Sequence, residues 1–138
     1  MTDLTIDEVE TLFSALTHAQ FEEFLSRCRD DLVLIVRGSD PETTYVSKSD
    51  IPDWYLSMQA LAGEDIVTTI EVVHTVGTKI IVLFRHDFWR KDARYAFEMV
   101  NVCSFTGTQL ATWASYPLNL PAYAHALGVG RAANLQPA

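Results

Sequence analysis

Apolar residues recur at helical spacing near the amino terminus and at strand spacing through the second half of the chain. Ile6, Val9, Leu12, Phe13 and Leu16 repeat at intervals of three and four, which sets them on one face of a helix. Thr5 and Glu8 precede that run as a capping box, in which hydroxyl and carboxylate satisfy free amides of the first turn. Thr17 and Gln20 repeat the pattern before a second stripe, Phe21, Phe24, Leu25 and Cys28. Two short helices broken near Thr17, ended by Asp30 and Asp31, are therefore expected. Leu32 to Val36 is a continuous leucine and β-branched run, the pattern of a buried strand. Gly38 to Glu42, with Asp40-Pro41, predicts a turn, and Thr43 to Val46 a short strand. Asp50 has the character of an N-cap, with Pro52 in the first turn where its missing amide costs nothing. Ile51, Trp54, Tyr55, Met58 and Leu61 then share a helical face, and Gly63 is a natural stop.

From Ile66 the period shortens to two. Ile66 to Val76, Lys79 to Trp89, Tyr95 to Phe105 and Gln109 to Tyr116 predict four strands. The turns between them fall at Gly77-Thr78, Arg90 to Arg94 and Thr106 to Thr108. Long strands joined by short turns pair antiparallel. Leu118 to Leu127 predicts a short helix, and the chain from Gly128 a loosely held tail. The order is helices, strand, helix, then a meander. That order predicts an α+β fold: amino-terminal helices packed over a curved antiparallel sheet, with a pocket between them. A single domain over residues 1–138 is expected, with its core at about 4–128 and the tail at 129–138.

Composition narrows the function classes. Near half of the 138 residues are hydrophobic, which argues against global disorder. The formal net charge of −8 opposes binding to nucleic acid or to an anionic membrane, because the phosphate term would be repulsive. Cys28 and Cys103 lie in amphipathic or apolar runs without a CxxC partner and read as buried, reduced thiols. Met1 to Asp7 is polar and acidic, unlike a signal peptide, and no apolar run approaches the ~18 residues of a membrane span. A cytoplasmic protein is the expectation.

The candidate chemistry begins with Arg85 and Asp87, which share one face of an otherwise apolar strand. Two readings stand side by side. In one, a carboxylate positioned by a guanidinium performs acid/base work in an apolar pocket. In the other, the pair is a surface contact near the hairpin turn. Glu98 and Asn101 have opposite parity, so a regular strand turns only one of them into a pocket. Analogy with the faces of Trp113 and Arg85 favours Asn101. Trp54, Tyr55, Met58 and Trp113 are core or pocket wall, with the Tyr55 hydroxyl able to orient a ligand. His18, His74, His86 and His125 have no metal-ligand spacing, so no metal is expected. His86 faces away from Asp87, which excludes a dyad between them. No nucleophile elbow or phosphate loop is present, and no cofactor is expected.

Several stretches resemble the nuclear-transport-factor-2-like superfamily, particularly its SnoaL-like polyketide cyclase and limonene epoxide hydrolase branches. Leu16-Thr17-His18-Ala19-Gln20-Phe21-Glu22-Glu23-Phe24-Leu25, followed by Asp30-Asp31-Leu32-Val33, looks like the family's entry. Gln109-Leu110-Ala111-Thr112-Trp113, followed by Leu120 to Gly128, looks like its closing segment. The resemblance implies a cone-shaped sheet around a pocket, and a homodimer paired through the outer sheet face. It also implies roles: Arg85 and Asp87 match the Arg-x-Asp of the hydrolase strand, where the aspartate helps protonate the epoxide and activate water. The chain departs from the pattern at Ser115, where the hydrolases carry a second aspartate, and at Tyr116 and Pro117, where the cyclases carry an acid.

These features together predict a protein that holds a small apolar molecule and performs cofactor-independent isomerisation, cyclisation, dehydration or hydrolysis. Asp87 and Arg85 would be catalytic, with Trp54, Tyr55, Met58, Asn101, Trp113 and Ser115 around the ligand. The alternative is a non-catalytic dimeric binding or assembly module of the same fold. Val82, Phe84 and Phe88 are expected on an apolar outer face that a second copy would cover.

Overall fold

Phe13 is the point on which the helices and the sheet close. Its ring meets Phe84 and Trp113 edge-on, each at 5.4 Å between centroids, and Phe24 at 6.0 Å. These contacts come from a computed structural model that describes residues 5–37, 43–62, 64–119 and 121–122. The expected turn at Gly38 to Glu42, the stop at Gly63 and the tail from Gly128 lie outside the described residues, as does most of the helix expected at Leu118 to Leu127.

Helix α1, Ile6–Thr17, begins at the predicted capping box: Glu8 N donates to Thr5 Oγ1 at 3.1 Å, and Thr5 N donates to Glu8 Oε1 at 2.9 Å. Val9, Leu12, Phe13 and Leu16 are its buried side. The break before α2, Phe21–Ser26, is not the second capping box that the sequence suggests. Thr17 stays in α1 and its hydroxyl donates back to Ser14 O. Ala19 takes φ 60°, Gln20 N donates to Ala15 O, and Ala19 N donates to Leu16 O. That pair of bonds is a Schellman closure, with an alanine where glycine is usual.

A short 3-10 turn, Lys48–Asp50, leads into helix α3, Ile51–Ala62. There the Asp50 carboxylate accepts from the Ser47 hydroxyl at 3.0 Å. The strands are β1 Val33–Val36, β2 Thr44–Ser47, β3 Glu64–Val76, β4 Lys79–Arg90, β5 Ala93–Thr106 and β6 Gln109–Pro117. They form one curved, unclosed sheet in the order β2-β1-β6-β5-β4-β3. The fold is α+β, as expected, but the sheet is mixed. β1 runs parallel to β6, through Leu34↔Trp113 and Val36↔Ser115, while all other neighbours are antiparallel.

Strict alternation along β4 sorts its residues. Ile80, Val82, Phe84, His86 and Phe88 are buried on the concave, helix-covered face. Ile81, Leu83, Arg85, Asp87 and Trp89 take the convex face. Val82, Phe84 and Phe88 therefore do not form an outer apolar face; they belong to the core, between 0% and 4% exposed. Cross-strand register extends the concave face into rows, Ile80–Cys103–Trp113–Leu34 and Val82–Asn101–Ser115–Val36. Cys28 and Cys103 are buried free thiols. No helix among the described residues is long and apolar enough to cross a membrane.

Candidate functional site

The polar groups of the concave face fall into two sets. The first centres on Asn101, whose side chain is fully paired. Asn101 is 0% exposed; its amide nitrogen donates to Val82 O at 3.1 Å and Met99 O at 3.3 Å, and its oxygen accepts from Trp113 Nε1 at 2.8 Å. Asn101 thereby fixes the indole of Trp113, which also meets Phe24 and Trp54 edge-on at 5.7 and 6.4 Å. Ser115 is buried beside Asn101 in the same row.

The second set carries the candidate chemistry. Tyr55, on α3, is 1% exposed, and among the described residues its enclosed hydroxyl has no hydrogen-bond partner. It lies beside the Thr68 and Gln59 side chains but meets neither at hydrogen-bonding geometry. Burial raises the phenol above its usual range, with those two side chains acting weakly the other way. Thr68, on β3, sits opposite His86 in register, and its hydroxyl shares a 2.8 Å hydrogen bond with His86 Nδ1. His86 is 2% exposed between Phe97, at 4.7 Å, and Phe84, at 6.0 Å. Burial pulls the imidazole down to about 4, against a small opposing pull from Asp87, so it is neutral near pH 7. Trp54 and Met58 pack half-buried against the same core, and Phe21 meets Tyr55 edge-on at 6.1 Å.

Arg85 and Asp87 are not part of this set. They occupy the convex face, opposite in parity to Trp113, Asn101 and Ser115. Arg85 Nε lies 3.1 Å from Asp87 Oδ2, and Arg94 Nη2 3.3 Å from Asp87 Oδ1. Glu98 faces Arg85 across the strands. Glu71 lies near Glu98, and the contact between their carboxyl groups holds that of Glu71 above its usual range. The analogy that put Arg85 on the face of Trp113 fails because β4 carries large apolar residues on both faces, Ile81, Leu83 and Trp89 beside Arg85 and Asp87 on one of them, so its pattern alone does not say which side meets the helices.

Sequence reasoning missed His86 and Thr68. The signal was present: His86 shares parity with Ile80, Val82, Phe84 and Phe88, and a histidine within an apolar stripe is itself interior. A separate open groove of about 500 Å³ lies between α2 and β1–β2, lined by Leu25, Asp30, Leu32, Ser47 and Lys48. Lys48 closes one side through Cys28 O at 3.0 Å and Asp30 Oδ1 at 3.1 Å. Among the described residues no three His, Cys, Asp or Glu side chains converge as metal ligands would.

No family model matches the sequence, and no curated protein does. Solved structures do match the fold. A protein from Catenulispora acidiphila with a ketosteroid isomerase-like fold, in complex with trimethylamine, superposes with a TM-score of 0.70 at 16% identity, over 97% of this chain and 100% of that one. Bal32a, from a soil-derived mobile gene cassette, gives 0.73 at 12% identity over 88% and 94%. TerC, co-crystallised with polyporic acid, gives 0.70 at 9% identity over 89% and 97%. The chain therefore has the fold of the nuclear-transport-factor-2-like proteins, the resemblance its sequence carries.

Proposed function

We propose that the chain binds a small, largely apolar molecule on its concave face, with Tyr55, Thr68 and His86 as the polar floor of the site. One observation carries this reading: the Tyr55 hydroxyl is enclosed and unpartnered. A buried hydroxyl without a partner costs about 1–3 kcal/mol, and native interiors seldom keep one. A polar atom of a bound molecule accounts for it. Trp54, Met58 and Trp113 supply apolar wall, and Asn101 and Ser115 the adjoining polar row. The ligands named for the Catenulispora protein and TerC support a small-molecule role for this fold. A catalytic form of the proposal is cofactor-independent acid/base chemistry, with neutral His86 as base and Tyr55 as acid. Arg85 and Asp87 have no part in it, because a ligand on the concave face does not touch them.

A second reading, a dimeric binding or assembly module without turnover, is favoured by the chemistry of the concave face. Among the described residues its buried polar side chains besides Tyr55 are His86, Asn101 and Ser115, with no carboxylate. Both readings include a homodimer through the convex face.

Tyr55→Phe separates a ligand-binding hydroxyl from a structural one. Removing an unpartnered hydroxyl should leave the ligand-free protein as stable as wild type, or about 1 kcal/mol more so, while uptake from a small-molecule panel falls. A destabilised variant that still takes up ligand would show instead that the hydroxyl serves the fold.

A further inference from the structure

We propose that this concave site, taken as the binding site above, selects molecules that present an uncharged oxygen acceptor to the Tyr55 hydroxyl, and that it excludes carboxylate and ammonium groups from that position. Donor counting gives the first half. One proton bridges Thr68 Oγ1 and His86 Nδ1, whichever of the two atoms carries it. In either tautomer the Tyr55 proton remains uncommitted, since among the described residues, Thr68 and Gln59 included, none meets the phenol at hydrogen-bonding geometry. A carbonyl or ether oxygen satisfies that proton without needing a donor site in return.

Charge gives the second half. Of the amides near the site, the half-buried Gln59 beside Tyr55 carries no charge, and Asn101 already spends its donors on Val82 O and Met99 O and its oxygen on Trp113. Among the described residues no lysine, arginine, aspartate or glutamate is buried on this face. The ion pairs of Arg85, Asp87 and Arg94 lie on the other side of the sheet. A charged ligand group would lose its hydration here and meet no countercharge. The protein's own groups respond in the same sense: the surroundings suppress charge on the imidazole and on the phenol alike. The walls around the pair are the rings of Phe84, Phe97 and Phe21.

A matched series on one skeleton tests this: tetralin, 1-tetralone, the ammonium form of 1-aminotetralin and tetralin-1-carboxylate, titrated calorimetrically into the wild-type protein at neutral pH. The ketone should bind about tenfold more tightly than the hydrocarbon, the increment of one well-placed hydrogen bond. Both ions should bind at least about tenfold more weakly than the ketone. In Tyr55→Phe the ketone-to-hydrocarbon ratio should collapse to about one. Tetralin binding as tightly as tetralone to the wild type, or either ion matching the ketone, overturns the selectivity and leaves the binding site standing. No binding by any of the four, the hydrocarbon included, overturns the site and the selectivity together.

Discussion

His86 is held among aromatic rings on the helix-covered face of the sheet. Neighbouring residues in a strand face opposite ways, so His86 cannot pair with Asp87. The same rule sends it inward, among Phe84, Phe88 and Phe97, where it meets Thr68. A stability prediction follows from its burial. The imidazole titrates near 6.5 when free and near 4 in the fold. Above the first value both states are neutral and His86 has no effect on the pH dependence. As pH falls between the two, the unfolded chain takes up a proton that the folded chain refuses, so stability drops, by roughly 3 kcal/mol over the whole window. Below the second value the contribution is flat. Urea denaturation across that window should give a steeper loss for wild type than for His86→Gln; equal slopes would contradict the neutral, buried imidazole. The polar floor as a whole was hard to see in the sequence, because Thr68, Tyr55 and His86 come from three elements and meet only through register.

Elements were legible where the signal is local. The Thr5–Glu8 box, the strand spans, the turn at Gly77-Thr78 and the turn expected at Thr106 to Thr108, which falls at Gly107-Thr108, need only near neighbours to specify them. The parallel pairing of β1 with β6 was not legible, since it joins residues some eighty positions apart, as in Leu34↔Trp113. Local strain also escaped. The β4–β5 turn places Lys91 at φ 52° and Asp92 at φ 66°, two non-glycine residues in the left-handed region. A two-residue hairpin with both central residues there favours Asn-Gly. The double substitution Lys91→Asn, Asp92→Gly should therefore raise stability by about 1 kcal/mol. Thermal unfolding checks it, and an unchanged or lower midpoint would mean that the turn is not strained.

At the scale of the molecule, the convex face asks to be covered. Tyr116, Val100, Leu83 and Val72 form one cross-strand row, and Ala114, Val102 and Ile81 the next. Tyr45, Val67 and Trp89, 68%, 59% and 48% exposed, extend it towards the sheet edges. This is the surface that the proposed homodimer would cover. The sequence expectation of a homodimer named Val82, Phe84 and Phe88 as its outer face; these are core, and Ile81, Leu83, Val100 and Val102 are the ones turned outward. Because β4 and β5 carry apolar residues on both sides, their composition did not say which face meets the helices. Leu83→Glu, at the centre of the row, should convert a dimer to monomer in sedimentation while leaving the concave face intact. A wild type that stays monomeric at high concentration would refute the interface.

Native mass spectrometry of freshly purified protein reads the occupancy of the proposed concave site. A bound small molecule, uncharged and bearing a carbonyl or ether oxygen, is expected on the wild-type chain, and its loss is expected from Tyr55→Phe. Wild type that is empty as purified and stays empty after exposure to a panel of apolar ketones would contradict the proposed site.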